Sequence, residues 1–175
     1  MAMVGLFWIA EGDVYVGAKP TGTAPGVRLT ADGVVALGDG QDALYPWEDV
    51  NALAVSDAPV KTLRRQVGVF TEVALDTVMN LAVPVGPVGS VEAPPLMTLS
   101  VGTASGERAV KAYVAAAVGY SSTEVELSRA LLSRLTEGAA TMATTLAAMA
   151  EWGRAWEGGS PRVPQREALL REWLG

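Results

Sequence analysis

The chain has 175 residues, half of them apolar and 18% charged, with a formal net charge of −6 at pH 7. That length and apolar content suit one well-filled core with a modest appendage, and they argue against global disorder. There is no His and no Cys, so imidazole proton shuttles, Ser-His-Asp triads, thiolate nucleophiles, zinc-thiolate sites and disulfides cannot be built from this chain alone.

The absence of Cys favours a reducing, cytoplasmic setting. The 19 Gly and 10 Pro fit loop-rich β structure better than a helical bundle. Charge is uneven along the chain. Residues 1–60 carry two basic side chains, Lys19 and Arg28, against eight acidic ones. An acidic first half repels phosphate backbones and anionic lipid heads, so nucleic-acid and membrane partners are not expected. Arg64 and Arg65 beside Lys61 form a basic cluster too small to reverse that expectation.

In chain order, the opening run MAMVGLFWIA has no basic residue before it and is too short to cross a bilayer. It reads as a first strand, 6–10, turning at Glu11-Gly12-Asp13 into a second, 14–18. KPTGTAPG at 19–26 is a loop by composition. Strands at 27–30 and 34–37 then pair across Ala31-Asp32-Gly33. Strands at 43–45 and 50–55 follow on either side of Pro46, which has no N–H to give and so interrupts a central ladder or marks an edge.

Residues 71–83 carry two readings. Val73, Leu75, Met79, Leu81 and Val83 alternate as in a strand, while Glu72, Asp76 and Asn80 share one helical face. Thr71 caps and Pro84 stops the run, and a strand of this length would reach roughly 40 Å, so helix is the expectation. The Gly/Pro-rich stretch 85–95 is irregular. Strands at 96–101 and 108–114 form the last hairpin.

Beyond residue 122 the pattern becomes helical. Ser122 or Thr123 serves as the cap, with Glu126 three residues after Thr123 as in a capping box. Leu127, Leu131, Leu135, Met142, Leu146 and Met149 recur as one apolar stripe. Gly138 breaks it, giving helices at 123–137 and 139–152 or one bent rod. Residues 157–164 link to a terminal helix at 165–174.

Leu29-Thr30-Ala31-Asp32-Gly33-Val34-Val35, with Pro46-Trp47-Glu48-Asp49-Val50 after it, resembles the "LT-x-dG…i-W-dd-I" cadence of bacterial pleckstrin-homology-like proteins. Gly119-Tyr120-Ser121 running into Glu124, Glu126 and Leu127 looks like the hairpin-to-helix junction of their actinobacterial members. The resemblance covers residues 1–137. It implies an α+β fold: a small antiparallel β-barrel or sandwich of about seven strands capped by an amphipathic helix, with 138–175 as a further helical extension. It also implies a binding or scaffolding module with no catalytic residues to carry over. Lipid-headgroup recognition is not implied, because the first hairpin loops bear Glu11 and Asp13 with the single cation Lys19.

Candidate chemistry is sparse. Asp39, Asp42, Glu48 and Asp49 form the densest carboxylate group, yet they lack the alternating acidic loop of an EF-hand, and turns use Asp for local hydrogen bonds. No spacing selects a glycosidase pair. Ser121 and Ser122 with Lys111 lack S-x-x-K spacing, and Gly38-Asp39-Gly40 lacks the Lys-Ser/Thr of a phosphate loop. No cofactor or metal is expected.

The candidate interaction surface is Met142, Leu146, Met149, Trp152, Trp156 and Trp173, since aromatic side chains dominate hot spots. The plainer role for the tryptophans is packing, each buried ring contributing on the order of 2–3 kcal/mol. The leading expectation is a non-enzymatic protein-interaction or scaffolding module that binds another protein or self-associates through its C-terminal helices. The alternative is a carrier of a small apolar ligand, with Phe7, Trp8, Trp47 and Phe70 lining a half-open barrel.

Overall fold

The computed structural model describes residues 1–61 and 94–175. They form an α+β fold of two antiparallel sheets and three helices. The first sheet is a six-stranded meander of β1 (Ala2–Val4), β2 (Phe7–Ala10), β3 (Asp13–Val16), β4 (Gly26–Leu29), β5 (Gly33–Leu37) and β6 (Ala43–Pro46), each pairing with the next. The second sheet has β7 (Val50–Ser56), β8 (Leu96–Thr103) and β9 (Gly106–Tyr113) in that order. Helices α1 (Ser122–Leu135), α2 (Ala139–Ala155) and α3 (Val163–Leu174) follow. The helix expected at 71–83, Phe70, the Arg64-Arg65 pair and most of the 85–95 stretch lie outside the described residues.

The described strands number nine against about seven expected, and β1 was not foreseen. The opening apolar run divides at Gly5, whose φ of +57° suits a residue without Cβ. Val4 and Phe7 thereby pair across a two-residue turn. The other hairpins follow the punctuation of the sequence: Ala10 pairs with Asp13, and Leu29 with Val34. Period-two alternation then sorts side chains by face. Phe7, Ile9, Val14, Val16, Val27 and Leu29 point together into the core, and all are buried. Leu53, Val55, Met97, Leu99, Val101 and Val110 do the same from the second sheet.

Among the described residues the expected barrel does not close. Its first sheet ends at β6, where Pro46 cannot extend a ladder. Trp47 turns the chain instead: its backbone N–H donates to Asp32 O at 3.3 Å and its Nε1 to Thr30 O at 2.7 Å. Asp49 N–H returns to Pro46 O at 2.9 Å, and β7 starts the second sheet.

The helices complete one core with the sheets. Ser121 caps α1 in a capping box with Glu124: Glu124 N–H donates to Ser121 Oγ at 3.0 Å, and Ser121 N–H to Glu124 Oε2 at 3.0 Å. Both Ser121 and Thr123 have a Glu three residues on, and the structure selects the earlier pair rather than the expected cap at Ser122 or Thr123. The chain breaks at Gly138 into two helices. Helix α2 lies on β2 and β3 at very short range: a Cβ on Gly153 would stand 2.2 Å from Ile9 Cγ2. Helix α3 packs on α1 and β1. Residues beyond 138 therefore share the core, and Met149 and Leu170 are fully buried there beside Phe7 and Leu131. Each such side chain contributes about 1.5–3 kcal/mol relative to exposure.

Candidate functional site

The expected interaction surface is largely internal. Met142, Leu146, Met149 and Trp173 are buried in the chain's own core, because α2 and α3 fold back on the sheet and on α1. These four side chains are not available to a partner in this conformation, which corrects the surface read from the sequence. Trp152 and Trp156 remain half-buried. They stack with ring centroids 5.2 Å apart, and Trp173 meets Trp152 edge-on at 5.8 Å. Trp156 Nε1 donates to Gly159 O at 2.8 Å. The three rings thus join α2, the 157–162 loop and α3 to one another. The carrier's apolar lining fares similarly: Phe7 is wholly buried in the core, and Trp47 is pinned to Thr30.

The most concentrated buried polar chemistry is at the start of α1. Glu124 is wholly buried, and Arg166 of α3 donates to it through Nε at 2.5 Å and through Nη2 at 3.4 Å. Arg166 Nη1 donates to Pro161 O at 2.7 Å. Ser121 Oγ donates to Glu167 Oε1 at 2.8 Å while accepting the Glu124 N–H. Every member is paired, which is what makes a buried ion pair tolerable. The arrangement fastens α3 onto α1, and its carboxylate has no lone pair directed at open solvent for a substrate to meet.

Tyr120 lies beside it, fully buried, its hydroxyl accepting Ala115 N–H at 3.1 Å. Burial pushes its phenol up to about 12, with the Glu124 charge adding to the rise and the backbone bonds of Ala115 and Ala116 opposing it. It stays neutral near pH 7 and is no proton carrier there.

Lys111 does not meet the Ser121-Ser122 pair. Its Nζ donates to Thr98 Oγ1 at 2.5 Å on the outward face of the second sheet, and Thr98 Oγ1 reaches Asp57 Oδ2 at 3.4 Å. Asp39, Asp42, Glu48 and Asp49 are all exposed. Among the described residues no cluster of three acidic side chains is placed to hold a metal ion.

The feature the sequence did not announce is the seam between the sheets. At one end it is closed: Ala18 N–H donates to Tyr113 O at 2.7 Å. Next, the Gln41 side chain stands in for a strand. Its Nε2 donates to Lys111 O and to Leu37 O, both at 2.8 Å, and its Oε1 accepts Lys111 N–H at 3.0 Å. Beyond Gln41 the sheets part around a cleft of about 390 Å³. Leu44, Tyr45, Pro46 and Asp49 line one wall, and Thr103, Ala104, Ser105 and Arg108 the other.

Comparison with family profiles, curated proteins and solved structures finds no match.

Part of the backbone beside the cleft is turned outward. Val114 N–H pairs with Pro95 O, so alternation along β9 aims the N–H and C=O of residues 107, 109, 111 and 113 away from β8. Trp47 N–H pairs with Asp32 O, so the same alternation aims Leu44's groups away from β5. Tyr113 O and both Lys111 groups find partners in the seam; those of Ala109 and Leu44 have none among the described residues, and Leu44 lines the cleft. Leu44 is 53% exposed, a large apolar side chain standing at the bare edge. Gln41 between Gly40 and Asp42 reads as an ordinary turn residue, and nothing in its spacing signals this role.

Proposed function

We propose that this chain is a protein-interaction or scaffolding module of the cytoplasm, without catalytic chemistry of its own, and that it engages its partner at the cleft between β6 and β9. The observation that carries the reading is a cleft beside the edge strands β6 and β9, whose outward backbone groups at Leu44 and Ala109 have no partner among the described residues, with Leu44 exposed at its rim. Free edges invite pairing with another chain, and folds normally cover or blunt them. The lack of His and Cys, and the full pairing of Glu124, Arg166 and Ser121 within the fold, support a binding role over a chemical one. Among the described residues no helix is long and apolar enough to cross a membrane.

Two antiparallel sheets with helices packed against them are loosely consistent with a pleckstrin-homology-like layout. The carrier reading loses its support from Phe7, which the core itself occupies. Self-association through Met142 to Met149 loses its support for the same reason.

Site-specific photocrosslinking tests the proposal. A benzophenone side chain at position 44 is expected to give a discrete protein adduct in native cytosol, while one at Ala147, exposed on α2, gives none of that mass. Absence of any adduct at 44, or the same adducts at both positions, would count against the cleft.

A further inference from the structure

The edges of β6 and β9 run antiparallel from the closed end, where Gln41 stands opposite Lys111, toward the cleft that Leu44 and Arg108 both line. Where Gln41 stands, one side-chain amide bridges the sheets by imitating a peptide group, both donating and accepting. Past it the cleft opens, and the outward backbone groups of the two edges have no partner among the described residues. Ala109 on β9 offers an N–H and a C=O, Glu107 lies two residues along the same edge, and Leu44 on β6 offers its pair from the opposite side. On β6 the edge is short, because Pro46 has no N–H and its C=O is taken by Asp49. Most of the pairing would therefore fall on β9.

The surroundings are acidic. Asp49 lines the cleft, Glu48 adjoins it, Asp42 lies beside Gln41, and Glu107 adjoins Arg108 on β9; all four carboxylates are exposed. Arg108 is the basic side chain of the lining, and Lys111 at the closed end is engaged with Thr98. Charge complementarity selects a cationic occupant.

We infer that the cleft takes an extended basic peptide segment as an added strand, paired to β9 at Glu107 and Ala109 and continuing the line that Gln41 begins. This rests on the interaction reading above and names the chemistry of the partner. Main-chain bonds supply the affinity in such strand addition, and alternate side chains supply the selection. Here side chains on one face of the added strand would meet Leu44 and Pro46, those on the other would meet Tyr45, and cationic ones would meet Asp49.

The test is fluorescence anisotropy of the full chain with a labelled nine-residue peptide of alternating lysine and valine. Saturable binding is expected, weakening with salt. Methylating alternate amide nitrogens of the peptide removes its strand donors, and Ala109→Pro removes the outward donor of β9 at an edge where Pro is tolerated. Each change is expected to weaken binding by about tenfold. Thermal melting checks that Ala109→Pro remains folded, and the methylated peptide tests the same point on unaltered protein. The inference is overturned if the methylated peptide binds equally well, if an alternating glutamate-valine peptide binds as tightly, or if no peptide binds. Photocrosslinks at position 44 that persist when every peptide fails would show that the occupant is wrong while the docking surface stands. Loss of both would remove the interaction reading as well. Concentration-dependent dimerisation abolished by Ala109→Pro would instead make a second copy the occupant, and also overturns the inference.

Discussion

The two sheets have four edges, and the fold treats them in opposite ways. On the helical side they are tied to the helical tail. Ser160 Oγ accepts the outward Met3 N–H of β1 at 3.0 Å, and Arg129 Nη2 donates to Val55 O of β7 at 3.1 Å. Helix α1 lies along β7 and α3 against β1. On the seam side, the hydrogen bonds that bridge the β9 edge to the first sheet among the described residues come from Gln41 and from Ala18, and the outward groups of Ala109 and Leu44 have no partner there. The helical side spends dedicated polar groups to satisfy its backbone. A chain able to do that at β1 and β7 has the means to do so at β6 and β9, which is why the bare pair carries the functional reading.

Perturbing the helical side should produce the largest losses. Arg166→Met strands the buried Glu124 carboxylate, with an expected cost of about 3–5 kcal/mol in urea unfolding. Adding Glu124→Gln to that variant should return part of the loss. A cost below about 1 kcal/mol for the single variant would mean that α3 is not held by this pair. High pH acts on the neighbouring Tyr120. The folded state holds the phenol proton more tightly than the unfolded chain, so stability is full below pH 10 and falls as pH rises through 10 toward about 12. The expected fall is on the order of 2–3 kcal/mol, and Tyr120→Phe should flatten it; an unchanged pH profile in that variant would assign the transition elsewhere.

Gly153→Ala presses a methyl group into Ile9 and is expected to cost about 1–3 kcal/mol by calorimetry. No loss there would show that α2 lifts from β2 without penalty. The smallest effect belongs to the seam. Gln41→Ala should lower global stability by only about 1 kcal/mol, while hydrogen exchange at the Lys111 amide accelerates well beyond that of the Leu99 and Val110 amides. Equal acceleration at all three would mean that the seam and the helical side open as one unit, and the contrast between them would lose its basis.

Much of the layout was legible before any coordinates. Hairpin turns at Glu11-Gly12 and Asp32-Gly33, the interruption at Pro46, the break at Gly138 and the terminal helix with Pro164 near its start all follow from residues whose backbone preferences act locally. The misses share one cause. Met142, Leu146, Met149 and Trp173 were expected on a surface because an apolar stripe announces burial without naming what buries it. Glu124 and Arg166 stand 42 residues apart, and Gln41 and Lys111 stand 70 apart. No periodicity connects such residues, so neither the latch nor the seam had a sequence signal.

Local chemistry, then, determined where strands and helices begin and end, which faces are apolar, and that imidazole and thiolate mechanisms are closed to this chain, because those properties depend on residues within a few positions of one another. Only the tertiary structure decided that the helical tail joins the core, that a buried guanidinium–carboxylate pair fastens it, and that two sheet edges part around an acidic cleft. Those outcomes depend on which distant backbone groups find partners, and that is settled when the sheets and helices pack.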